Sequence, residues 1–211
     1  NTLVAFAYGY PRFADGRLHT QHSILPNLQI GLDYEHLSAK HNDKSPANFY
    51  EHTGTAYASY RVGDLVNVEG SFDVDIDGHR LVPYLNVSDI TRRTSDFGGS
   101  LSLARPALTD AALSYYTNLG FHNVVISDLD QNESVFEFDF GFDYTMSDLS
   151  IGAAMDYDFV DYSEIGSQTL NSLNIIPHIS YNAEAFSIRA GYNIVAENES
   201  WSYLPDLIAS F

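Results

Sequence analysis

The chain has 211 residues and a formal charge of −18, from 28 Asp and Glu against 10 Lys and Arg. That excess of carboxylates repels phosphate backbones, so nucleic acid is not an expected partner. Cysteine is absent, which excludes disulfides and thiolate metal sites, and an aromatic content of 14% argues against a disordered acidic segment.

No run of about 18 apolar residues occurs, so no membrane-crossing helix is expected. No basic stretch followed by an apolar one opens the chain, so no signal peptide is expected either. The first residues, NTLVAFAYGY, are already strand-like and suggest sequence missing upstream. The expectation is one β-barrel domain over residues 1–211, open to truncation at one or both ends.

Along the chain the period is two almost everywhere. A weak strand fits 1–9. Leu28, Ile30, Leu32 and Tyr34 then alternate with Gln29, Gly31, Asp33 and Glu35. A weaker strand fits 54–62. From Val66 to Ile76 apolar residues alternate with Asn67, Glu69, Ser71, Asp73 and Asp75. Weaker strands follow at 80–88, 96–105 and 111–120. Residues 135–146, VFEFDFGFDYTM, are the clearest case: Phe136, Phe138, Phe140, Phe142, Tyr144 and Met146 against Glu137, Asp139, Gly141, Asp143 and Thr145. Strands at 149–159, 172–182, 186–196 and 203–211 complete about a dozen.

Many of these runs hold 9–12 residues, where globular strands cluster near 5–6 and a tilted membrane strand needs about 9–11. Short turns are expected at Gly63-Asp64, Pro106–Asp110, Ser147-Asp148 and Ala183–Ala185. Longer polar connections are expected at 39–53, 89–95, 122–132, 161–169 and 197–202. Short turns at one end and long loops at the other is the asymmetry of an outer-membrane barrel. A propeller shares a period near 40, but needs about four short strands per repeat, not two.

The alternating segments, the SD and GD hairpins and the final YLPDLIASF resemble bacterial outer-membrane β-barrel proteins. Tyr203, Pro205, Leu207, Ala209 and Phe211 place apolar residues at every second position, similar to the C-terminal assembly signal of that class. The acidic, tyrosine-rich style is similar to barrels of Bacteroidota. The resemblance implies an all-β, antiparallel transmembrane barrel of about 12 strands, part of a larger barrel if the chain is cut. It implies outer-membrane lipid as a partner and admits protein subunits of a larger complex.

On that reading Asp33, Glu35, Arg61, Glu69, Asp73, Asp75, Glu137, Asp139, Asp143, Asp156, Asp158 and Arg189 line a lumen. Phe72, Phe136, Phe138, Phe140, Phe142, Ile151, Ile188 and Tyr192 meet lipid. Gly31, Gly141, Gly152, Ala154 and Gly191 sit among the polar positions, where small residues make room inside a barrel but weaken a solvent-facing strand. Tyr34, Tyr60, Tyr144, Tyr157, Tyr181, Tyr192 and Tyr203 gather near strand ends, as an interfacial girdle requires. Pro83, Pro177 and Pro205 fall inside expected strands, against the usual rule.

Asp73-x-Asp75-x-Asp77-Gly78 matches the start of a calcium loop, but position 12 is Tyr84 and alternation spreads the acids along a strand. His36, His41 and His52 flank one long loop and read as solvated loop residues. His178 and Ser180 share a face, yet neighbours two apart stand about 6–7 Å from each other, too far for direct proton transfer. No catalytic residue, metal or cofactor is expected. The leading function is a passive channel with an acidic, cation-preferring lumen. An accessory subunit of a larger outer-membrane complex is the alternative, and a soluble ligand-binding barrel the second.

Overall fold

The computed structural model describes residues 2–9, 12–40, 48–63, 65–81, 90–105, 113–164, 166–183, 186–198 and 200–210. Its strands are β1 (Thr2–Gly9), β2 (Phe13–Leu25), β3 (Leu28–Ala39), β4 (Phe49–Val62), β5 (Val66–Leu81), β6 (Ile90–Arg105), β7 (Leu113–Ile126), β8 (Gln131–Met146), β9 (Leu149–Glu164), β10 (Gly166–Asn182), β11 (Ser187–Glu197) and β12 (Ser200–Ser210). All twelve form one sheet in chain order. Every neighbouring pair is antiparallel. A single twelve-stranded meander is not a ring of four-stranded blades, so the propeller is excluded.

The alternating runs become strands because a period of two sends successive side chains to opposite faces. Tight reversals join those whose connections are described at 26–27, 127–130 and 147–148. Arg12, Gly63, Asp130, Ser147 and Asn198 have φ between 51° and 71°. This left-handed region costs Gly, Asn and Asp least, which is why such residues punctuate the apolar runs. Ser147-Asp148 and Gly63 turn the chain as expected. Asp64, Pro106–Asp110 and Glu184 lie outside the described residues.

The structure departs from the sequence reading in three places. First, β2 was not foreseen: FADGRLHTQHSIL has no clean apolar alternation and forms because it pairs with β1 and β3 on both sides. Second, no strand begins at residue 80. Arg80 and Leu81 end β5, and 82–88 lie outside the described residues. Third, most of the expected long loops are strand. Residues 122–126 extend β7, 161–164 extend β9, and β10 reaches 17 residues. Backbone pairing continues past the apolar stretch because each extension finds a partner strand.

Pro177 and Pro205 keep their strand positions for separate reasons. Pro177 pairs with Ala153 of β9, while the ladder from β10 to β11 skips from Ile175–Ile194 to His178–Gly191. The proline interrupts the ladder on the β11 side only. Pro205 opposes Tyr192 and lies on β12, an end strand of the described sheet, where a proline is tolerated better than in a central strand. Pro83 lies outside the described residues.

Among the described residues no apolar side chain is buried, and the buried polar ones are Asn123 and Ser150 alone. A sheet in water hides its apolar face against a second layer. Here no described element forms one.

Candidate functional site: the acidic face of the sheet

Register carries one face through the whole sheet. Asp33 opposes Thr55, which opposes Asp73. Glu69 opposes Ser102, then Asn118, Asp139, Asp156 and Asn174 follow across β7 to β10. Glu137 opposes Asp158, and Asp143 opposes Gly152 and then His178. Asp33, Glu35, Arg61, Glu69, Asp73, Asp75, Glu137, Asp139, Asp143, Asp156, Asp158 and Arg189 all fall on this polar face. Phe72, Phe136, Phe138, Phe140, Phe142, Ile151, Ile188 and Tyr192 all fall on the other, aromatic face. Among the described strand residues Asp161 is the single carboxylate on the aromatic face.

Three of the acids accept hydrogen bonds from short neutral groups. Thr55 Oγ1 donates to Asp73 at 2.8 Å, Asn118 Nδ2 to Asp139 at 3.4 Å, and Asn174 Nδ2 to Asp156 at 3.3 Å. Cations are fewer. Arg17 pairs with Glu35 at 2.9 Å and Arg189 with Asp206 at 3.7 Å, while Arg61 Nε donates to Asn67 at 3.1 Å. Arg61 and Arg189 therefore do not neutralise the acids of the central strands. Asp139, Asp156 and Asp158 keep a dense negative patch there.

Histidines supply partners that sequence reasoning missed. His19 meets Asp33, and His122 meets Asp96 at 3.2 Å. His178, its side chain 9% exposed, meets Asp143 at 2.8 Å. The signal was present in the sequence only as parity: each of these histidines shares the polar phase of its strand.

Glycines shape the face. A Cβ on Gly31 would overlap the Tyr57 ring, and one on Gly141 would overlap Tyr116. Each tyrosine lies across the bare backbone of the next strand, filling the space a side chain would take. Tyr116 on β7 also lies in the field of Asp156, Asp139 and Asp143, and of Arg189 on β11.

Asp73, Asp75 and Asp77 follow β5 as an extended row, one face up, rather than wrapping a point. Tyr84 lies outside the described residues. Among the described residues no three His, Asp or Glu side chains converge as metal ligands. Ser180 opposes Ser150 and Arg189, whereas the His178 ring is engaged by Asp143 and by the Ile176 carbonyl at 3.3 Å.

The aromatic face is bare. Phe72 is 51% exposed, Ile151 47% and Tyr192 59%. Tyr34, Tyr60, Tyr144, Tyr157, Tyr181, Tyr192 and Tyr203 all lie on it. Tyr34, Tyr157 and Tyr192 fall in mid-strand, so they do not belong to a belt at a strand end. Toward the 40–48 connection this face turns polar. His36 and His52, expected in a loop, are opposed strand residues of β3 and β4, with Nδ1 atoms 3.2 Å apart. They are strand because β3 runs on to Ala39 and β4 starts at Phe49; His41 lies outside the described residues.

No protein-family model matches the sequence, and no curated protein matches it. Among solved structures the chain is similar to LpxR from Salmonella typhimurium, at 11% identity and a TM-score of 0.31, covering 94% of this chain and 88% of that one. It is also similar to the beta domain of the Bordetella autotransporter BrkA, at 11% identity and a TM-score of 0.34, covering 100% of this chain and 97% of that one. Likeness at this level transfers no residue role to this chain.

Proposed function

We propose that the chain is a bacterial outer-membrane β-barrel whose aromatic face meets lipid and whose acidic face lines a water-filled path that favours cations. One observation carries the reading. Every described strand carboxylate but Asp161 lies on one face of the sheet, opposite the wall of Phe72, Phe136, Phe138, Phe140 and Phe142, and no described apolar side chain is buried. In water such a sheet leaves its aromatic wall uncovered; in a bilayer the wall is solvated by acyl chains and the acids by the lumen.

Strand length supports it. A strand of 16 residues, as β8 and β9 are, is about 50 Å long, or about 35 Å in height when tilted by about 45°. An apolar band about 25 Å tall leaves the strand ends projecting. The polar ends of the aromatic face fit: Asn123 Nδ2 donates to Asn132 at 2.8 Å and to Ser134 at 2.6 Å there. The even strand number makes β1 and β12 antiparallel to each other, as closure of a barrel requires.

The role is passive, with no catalytic step. A row of acids with few cations lowers the energy of a cation along the lumen and raises that of an anion. The test is conductance in planar bilayers under a KCl gradient. A reversal potential of cation-selective sign supports the reading. Absence of conductance from protein that shifts on heated against unheated gels removes the channel and leaves a closed structural barrel.

A further inference from the structure

The aromatic face of β3 to β6 carries no carboxylate among its described residues, in a chain of 28 acidic side chains. What it does carry, at the end nearest the 40–48 connection, is basic. His36 and His52 stand side by side, and Arg80 of β5 and Arg93 of β6 share their face. Tyr34 Oη lies 2.8 Å from His52 Nδ1. The Tyr50 ring crosses Gly78, where a Cβ would overlap it, toward Arg93 in the same cross-strand row.

Beneath this cluster runs a groove. β4 presents only Gly54 and Ala56 to the aromatic face there, while β3 presents Leu32 and Tyr34 and β5 presents Phe72, Val74 and Ile76. The small residues between two large-residue ridges leave a cleft of about 560 Å³, with His52 and Arg93 at its polar end. A cleft with an apolar floor and a cationic head has the polarity of a lipid molecule.

We infer that this groove on β3–β6 is a specific site for an anionic, phosphate-bearing membrane lipid, its acyl chain along Gly54 and Ala56 and its phosphate at His52 and Arg93. This rests on the membrane reading above. The charge pattern selects the occupant: a strongly acidic protein repels anionic lipids in general, and among the described residues this is the one stretch of the aromatic face where histidines and arginines gather without an acid. A basic side chain near a bilayer surface is worth about fivefold in affinity for an anionic lipid. A zwitterionic headgroup of the same chain length gains little of that.

The experiment is native mass spectrometry of the detergent-extracted protein given equal phosphatidylglycerol and phosphatidylcholine with identical acyl chains. Phosphatidylglycerol is expected to be retained about fivefold over phosphatidylcholine. His52→Gln with Arg93→Gln is expected to bring the ratio near one. Ala56→Phe, which fills the cleft, is expected to cut retention of phosphatidylglycerol while leaving His52 and Arg93 in place. Equal retention of the two lipids by the wild type overturns the proposal, as does a preference unchanged in both variants. Displacement of the lipid by excess inorganic phosphate, with no effect of Ala56→Phe, also overturns it, since the site then takes a phosphate and not a lipid. Gel mobility with and without heating is read on the same samples. Protein that stays soluble without detergent and shows no heat shift defeats the membrane reading itself, a result distinct from loss of lipid preference.

Discussion

His178 Nε2 lies 2.8 Å from Asp143 Oδ1, although the two residues stand on β10 and β8 with β9 between them. They meet because the intervening residue is Gly152, where a Cβ would overlap the Asp143 carboxylate. Gly191 bounds the histidine on its other side, where a Cβ would stand 3.1 Å from His178 Cβ. Gly152→Val is therefore expected to part the pair and to lower stability by about 1–3 kcal/mol. Urea unfolding of the refolded protein in detergent measures it; a midpoint equal to that of the wild type would show that β9 has more room than the structure gives it.

Tyr116 and Gly141 form a second such contact, ring over bare backbone. Tyr116→Ala removes the ring and leaves the glycine strand uncovered. A loss of about 2–4 kcal/mol is expected, by analogy with other large-to-small changes. Gly141→Ala should cost stability as well, and Tyr116→Ala combined with Gly141→Ala should cost less than the two separate losses added together. Strict additivity would mean the two residues do not share space.

Neighbouring residues of β8 separate the two faces. Phe140→Arg places a charge on the aromatic wall, at an expected cost of about 2–4 kcal/mol if that position meets the middle of a bilayer. Asp139→Arg, one residue away, faces its acidic neighbour Asp156 and should fold as well as the wild type or better. Folding yield into lipid vesicles compares them, and equal yields would break the assignment of faces.

Asp139 and Asp156 oppose each other, and Asp158 lies next along β9. Asp139→Asn with Asp156→Asn removes two of the three charges at the densest part of the patch while keeping size and hydrogen bonding. The preference for K⁺ over Cl⁻ is expected to fall severalfold, with single-channel conductance less affected. An unchanged reversal potential would place ion selection elsewhere.

Each end strand has one described partner, β2 for β1 and β11 for β12. Their side chains are the barest of the sheet, with Val4 71% and Leu207 73% exposed. Two unpaired edges of this kind seek each other. The chain has no native cysteine, so cysteines scanned in pairs across Val4–Tyr8 and Tyr203–Leu207 report closure directly. At least one register should cross-link in membranes within a monomer. Cross-links formed only between molecules would indicate that neighbouring copies complete the edges.

The sequence by itself determined the fold class and the face of each residue in the clearly alternating runs. A period of two needs no tertiary context, because successive strand side chains point oppositely wherever the strand lies. The polar phase of Asp33 through Arg189 and the apolar phase of Phe72 through Tyr192 were legible for that reason. Tertiary structure alone decided where strands end and which polar groups meet. β2, and the strand ends holding His36 and His52, lack an apolar pattern and exist because a neighbouring backbone offers hydrogen bonds. Gly152 brings His178 to Asp143, and the row of small residues on β4 opens a cleft below His52 and Arg93. Both depend on cross-strand register, which relates residues far apart in the chain and leaves no mark in local spacing.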